Sequence, residues 1–166
     1  MLFELKNDIV DLRLFSEKDI DFLKEVYSST RQEELKQVSD WNEKMKIAFL
    51  TQQFEAQHAY YQKNYMGAFF FVIEKEKERI GRLYLDENFG KNDIRIIDIA
   101  LLPAWRGKGI GQQIISKIIE YAKGSNKKVS IHVESFNPAM ALYFRLGFKK
   151  VSETNGVYHL LEIEMV

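Results

Sequence analysis

The sequence predicts an α/β fold, of the α+β mixed-sheet kind, with a central mixed sheet and helices on both faces. Three observations carry this expectation. Apolar residues switch repeatedly between a period of two and a period near 3.6 along the chain. Three strand patterns in the middle are joined by short polar turns, which makes an antiparallel meander. A helical pattern then stands between two strand patterns, and that arrangement calls for a right-handed parallel crossover. The expected order is β-α-α-β-β-β-α-β-α-β-β. The 166 residues, 46% of them hydrophobic, suit one domain over 1–166 with an ordinary core.

Each element has its own signal. Val10, Leu12 and Leu14 alternate with Asp11 and Arg13, giving a half-buried strand over 9–14. Ser16 followed by Asp19 has the spacing of a capping box, and Ile20, Leu23, Val26 and Tyr27 continue at helical spacing. Asp40 with Glu43 repeats that pattern before a longer helix, whose expected apolar face is Ile47, Leu50, Phe54, Tyr61 and Tyr65. The polar stretch between the two helices is expected to be partly irregular. The meander then reads as strands over 68–74, 79–86 and 94–102. Ile110, Ile114, Ile115, Ile118 and Ile119 lie on one helical face, and Gly124 is placed at that helix's end. A strand over 129–133 follows. Asn137-Pro138 then opens a helix that stops at Gly147. The last two strands form a hairpin about Asn155-Gly156, a pair suited to a type I′ turn.

Composition narrows the function. Lys plus Arg and Asp plus Glu both number 24, so net charge is zero and a general nucleic-acid or anionic-membrane binder is not expected. There is no cysteine, hence no disulfide, thiolate metal site or thiol nucleophile. No metal site is expected. The opening residues are too mixed for a signal peptide, and no apolar run reaches the roughly 20 residues of a membrane span. A cytoplasmic location is the expectation.

The stretch LPAWRGKGIG, residues 102–111, joins an apolar strand to a helix. A helix start carries unpaired N–H groups and partial positive charge. Gly107, Gly109 and Gly111 let a ligand approach that backbone, and Arg106 and Lys108 add charge. Together they read as an anion site, for a phosphate or pyrophosphate. The terminal Gly-Lys-Ser/Thr of a P-loop is missing, and Gln112 stands where a dinucleotide fingerprint needs its third glycine. A plain glycine-rich turn, or a nucleotide site, are the competing interpretations.

Arg106-x-x-Gly109-x-Gly111, together with Asn137-Pro138-Ala139-Met140-Ala141 through Tyr143 to Gly147-Phe148, resembles the two signature blocks of the GNAT superfamily of N-acetyltransferases. The element order agrees along nearly the whole chain. The resemblance implies acetyl-CoA, or another acyl-CoA, bound in a V-shaped opening between the strands at 94–102 and 129–134. It implies contacts from the backbone of Ile99 and Leu101 to the pantetheine arm. The amides of Arg106, Gly107, Lys108, Gly109, Ile110 and Gly111 would hold the pyrophosphate, and Asn137 would bond near the cofactor arm. Tyr143 matches the family position that protonates the leaving thiolate, and the Leu101 amide would face the oxyanion. His132 is the first candidate for the base, Asp98 the second and Glu134 the third. Direct transfer to an amine acceptor, small molecule or protein amine, follows. The acceptor walls would come from residues 28–41, with Arg31, Glu33, Glu34 and Trp41, and from the Asn155–Tyr158 turn. The Glu pair would suit a cationic acceptor and Arg31 a carboxylate-bearing one. The alternative on the same fold is a non-catalytic acyl-CoA-binding sensor or partner module. Free strand edges leave a homodimer possible.

Overall fold

The structure is a computed structural model that describes residues 10–164. Along the chain run β1 (Asp11–Leu14), α1 (Ile20–Ser29), α2 (Gln32–Leu35), α3 (Glu43–Asn64), β2 (Phe69–Lys75), β3 (Glu78–Gly90), β4 (Asp93–Leu101), α4 (Ile110–Gly124), β5 (Lys128–Glu134), α5 (Met140–Arg145), β6 (Lys149–Thr154) and β7 (Tyr158–Ile163). Ile9 of the expected first strand lies outside the described residues. The strands form one sheet in the order β1-β2-β3-β4-β5-β7-β6. Among the described residues only the β4–β5 pairing is parallel, as the helix between them requires. The final hairpin turns through Asn155 and Gly156 at φ 52° and 67°, both positive as in a type I′ turn.

The two faces are covered by different helices. Ile110, Ile114, Ile115 and Ile118 of α4 bury against Ile94, Ile96, Val129 and Ile131, and Tyr143 and Phe148 extend this core around α5. On the opposite face Phe22, Leu23 and Val26 of α1 meet Leu50 and Phe54 of α3 over Val72. Phe70, Tyr84 and Ile97 continue that layer beneath Tyr61 and Tyr65. Among the described residues no helix is long and apolar enough to cross a membrane.

Local chemistry explains the ends of these elements. The Ser16 amide donates to the Asp19 carboxylate at 2.8 Å, which completes the expected cap. Arg13 and Arg79 both pair with Asp19, and the Arg13 hydrogen bonds hold its carboxyl well below the usual carboxylate range. The longer helix starts differently from expectation. Asn42, not Asp40, caps α3, accepting from the Met45 amide at 2.8 Å. Ile47 is 59% exposed, so the buried stripe of α3 runs through Leu50 and Phe54 instead. Gly124 falls in the last turn of α4, and Asn126 at φ 54° makes the left-handed exit.

Gly81 of β3 lies tight against β4. A Cβ there would stand 2.3 Å from the Ala100 carbonyl oxygen and 2.9 Å from Leu101 Cδ2. Gly81→Ala must therefore push two backbones apart. The expected cost is about 3 kcal/mol, the upper end of overpacking. Thermal denaturation followed by circular dichroism should show Tm falling by about 2–4 °C per kcal/mol. An unchanged Tm would contradict this close approach.

Candidate functional site

β4 and β5 pair over only four positions, from Asp93 with Lys128 to Ile96 with Ile131. Beyond them the strands part. The cause lies on the other edge of β4. Tyr84 stands opposite Asp98 but Leu85 opposite Ile96, so Ile97 is an extra residue on β4. Such a bulge bends the strand that carries it.

The alternation of an antiparallel ladder then decides what faces the gap. Leu102 donates to the Ile80 carbonyl at 2.8 Å, so Ile99 and Leu101 turn their backbone groups away from β3 and into the opening. The Leu101 carbonyl is taken by Arg106 Nε at 2.9 Å, which leaves its N–H. On the far wall Ser135 donates to the Val157 carbonyl at 2.7 Å, and the same alternation aims the main chain of His132 and Glu134 at the gap. The Glu134 carbonyl accepts from the Asn137 amide at 2.9 Å.

At the open end of this V, past the tip of β4, the loop enters α4. Gly107 and Gly109 have φ 72° and 82°, conformations that other residues adopt only with strain. A Cβ on Gly107, Gly109 or Gly111 would meet no atom within 4 Å, so the space over the loop is open. The N–H groups of residues 107–112 make no hydrogen bond to another described residue. Gln112, absent from the expected set, joins it because the first turn of any helix leaves its amides without intrahelical acceptors.

The two cations of the loop depart from expectation. The Arg106 amide donates to the Pro103 carbonyl at 3.2 Å. Its guanidinium turns back to the Leu101 carbonyl and to Ser29 Oγ, at 2.9 and 3.0 Å. The Lys108 ammonium rests over the Trp105 ring, 5.2 Å from its centroid. Main chain, not side-chain charge, therefore lines the cradle.

The predicted acid and bases come from three elements, α5, β4 and β5. Tyr143 is buried, 3% exposed, on the α4–α5 face. Burial pushes its phenol well above the ordinary tyrosine range, and the charge of Asp98 adds to the effect. Asp98 itself pairs with Arg82, whose side chain is only 3% exposed. Arg82 also donates to Gln57 Oε1 at 3.0 Å and lies against the Tyr84 ring. His132 stands on the opposite wall, stacked on Tyr158 with centroids 5.1 Å apart. Partial burial and then the charge of Arg95 lower its pKa. Asn137 Oδ1 accepts from the Ala139 amide at 2.8 Å, a local turn before α5, whose N-cap is Ala139 and not the expected Asn137. Arg82 escaped the sequence interpretation. Its signal was an arginine in the middle of an apolar strand, on a face that two helices cover.

Arg31 does not offer a free cation to an acceptor. Glu34 at 2.8 Å and Glu134 at 3.0 Å both hold it, and its guanidinium covers the Tyr27 ring. Glu134 is thereby committed as well. Glu33 pairs with Lys36 in solvent, and Trp41 packs edge-on against Phe49. Among the described residues no cluster of three or more potential metal ligands occurs.

Burial raises Tyr27, Tyr61, Tyr84, Tyr121 and Tyr143 together. A raised folded pKa contributes stability fully present below the unfolded value, about 10 for tyrosine, and lost as pH climbs toward the folded value. Titration of phenolate absorbance should show these five of the eight tyrosines lagging above pH 10, then ionising as the chain unfolds. Smooth ionisation of all eight near pH 10 would contradict it.

Comparison with known proteins falls on the same region. The model of the acetyltransferase (GNAT) family matches residues 28–148. A histone acetyltransferase of Arabidopsis thaliana, MCC1, is 33% identical over 92 residues, covering 53% of this chain and 37% of the relative. The chain thus spans well under half of that protein. PaiA N-acetyltransferase from Thermoplasma acidophilum, solved with coenzyme A, superposes with TM-score 0.66 at 17% identity, covering 93% of this chain and 98% of that one. Spermidine N-acetyltransferase from Vibrio cholerae, solved with coenzyme A and spermine, gives 0.61 at 21% identity, covering 96% and 97%.

Proposed function

Since this chain belongs to the GNAT acetyltransferase family, we propose that it carries an acetyl group from acetyl-CoA to an amine by direct attack within a ternary complex. The observation that carries this is the coincidence of two features. A row of unpaired amides at residues 107–112 opens next to a parting of β4 and β5 that exposes the backbone of Ile99 and Leu101.

The residues present fit the cofactor. The amides of 107–112 and the positive end of the 15-residue α4 suit a pyrophosphate. The free N–H and C=O groups of the V suit the amides of a pantetheine arm, which pairs there as a strand would. Asn137 keeps its Nδ2 for the arm while its oxygen holds the turn before α5. When bound, acetyl-CoA supplies an activated acyl carbon and a thiolate leaving group.

The chain supplies the proton traffic. Tyr143, protonated throughout the neutral range because burial disfavours its anion, donates to the departing sulfur. The Leu101 N–H faces the gap and takes developing negative charge on the acyl oxygen. His132 receives the amine proton, through water, because burial and Arg95 keep the imidazole unprotonated and so free to accept one. Asp98, oriented by Arg82, stabilises the incoming ammonium from the other wall.

The test is release of free coenzyme A from acetyl-CoA over a panel of spermidine, a peptide with a free N-terminus and a lysine-containing peptide. A ternary complex predicts double-reciprocal lines that converge, while parallel lines indicate an acyl-enzyme. Tight binding of acetyl-CoA with no release on any acceptor favours the non-catalytic module.

A further inference from the structure

Past Ile96 and Ile131 no ladder hydrogen bonds fix the distance between β4 and β5, so something else must set the width of the V. One short segment touches both arms. Ser29, the last residue of α1, is held to the β4 side through Arg106, whose guanidinium spans from the Leu101 carbonyl to Ser29 Oγ. Two residues on, Arg31 reaches the end of β5, donating to both carboxylate oxygens of Glu134 at 3.0 and 3.1 Å. Glu34 and the Tyr27 ring hold the same guanidinium on the α1–α2 side. Residues 29–31 therefore brace the opening, with one arginine at each tip.

The tie on the β4 side has a further property. Arg106 is the residue immediately before the open amides of 107–112. A ligand that settles on those amides immobilises the backbone of Arg106, and through its side chain it immobilises Ser29.

We infer that Arg106 and Arg31 are positioning residues that hold the 28–38 segment across the mouth as a wall for the acceptor. Through them, seating acetyl-CoA on the glycine loop orders that wall. The inference rests on the acetyl-CoA site described above. It gives the arginine of the loop a task that is not phosphate binding. It also explains why a residue on α1–α2 should respond to a ligand bound on α4. Each tie is a charge-assisted hydrogen bond; the Arg31–Glu134 tie is partly buried, while the exposed Arg106–Ser29 contact is backed by the part-buried bond of the same guanidinium to the Leu101 carbonyl.

Hydrogen exchange by mass spectrometry on the full chain, with and without acetyl-CoA, tests this. In the wild type, acetyl-CoA should slow exchange at 107–113 and also at 28–38, the latter by about fivefold, the lower end of ordinary coupling between sites. Arg106→Gln shortens the β4 tie, and Glu134→Gln removes the charge from the β5 tie. In each variant the protection at 107–113 should persist, while that at 28–38 should fall to less than half its wild-type size. Wild-type protection at 28–38 retained in both variants, or absent from the wild type, overturns the brace. Lack of protection at 107–113 in the wild type shows instead that the cofactor site is misplaced, and the brace falls with it. Thermal melts establish that each variant is folded; should Arg106→Gln fail to fold, Ser29→Ala cuts the same tie at its other end.

Discussion

Tyr143→Phe is expected to lower kcat by about a hundredfold, the smaller end of what a positioned general acid contributes. Acetyl-CoA affinity should change little, because the ring stays. Phenylalanine fits the same packing beside Phe148, and the hydroxyl is the only atom lost. The size of the effect follows from the chemistry of the leaving group. A thiol has a pKa near 8.5, so its anion is a tolerable but not a good leaving species in a half-buried site. A phenol kept protonated by burial is a standing donor to it. Asp98→Asn removes the carboxylate placed to stabilise the incoming ammonium, so it should reduce turnover without touching the cradle. Stopped-flow detection of free thiol at saturating acetyl-CoA and amine measures kcat directly. Full rate in Tyr143→Phe removes the acid role from this residue.

Gly109→Val should have the opposite signature, with acetyl-CoA affinity falling by more than about a hundredfold, or roughly 3 kcal/mol. Two effects combine. Gly109 sits at φ 82°, where a β-branched residue is strained by about 1–3 kcal/mol. The new side chain also fills space that is open above the loop, where the amides face a ligand. Gly111→Ala separates these terms. Gly111 has no positive φ, so only the filling of the cradle remains, and a smaller loss is expected. The melting temperature of Gly111→Ala should stay near the wild type. If Gly109→Val binds acetyl-CoA as well as the wild type, the cradle lies elsewhere.

Much of the architecture was legible because strong periodicity reports burial. The isoleucines of α4 announced both the helix and its buried face, and the meander followed from apolar runs separated by polar turns. The loop was legible too, since glycines before a helix start change what a backbone can do. Long side chains were harder. Arg106 and Lys108 looked like phosphate partners by position alone. The bulge at Ile97 opens the V and frees the Leu101 carbonyl, and Arg106 takes that acceptor. No local pattern encodes such a partner, which comes from five residues away through tertiary geometry. Arg82 was hidden for a related reason. A buried arginine in a strand can be justified only by its carboxylate on the next strand, and Asp98 was first considered as a base. The cap of α3 moved from Asp40 to Asn42 because several polar residues there can accept an N–H, and the helix uses one of them. Arg31 and Glu134 are 103 positions apart, and their pairing is a product of the fold.

The central claim is that a pyrophosphate sits on the main chain of residues 107–112. Isothermal calorimetry with acetyl-CoA and, separately, with acetyl-pantetheine tests it most directly, because the two ligands share the thioester and arm and differ in the pyrophosphate and nucleotide. The account predicts saturable binding of acetyl-CoA and binding of acetyl-pantetheine weaker by at least about a hundredfold, in line with the several charge-assisted hydrogen bonds lost. Equal affinities for the two, or no heat with acetyl-CoA, would contradict it.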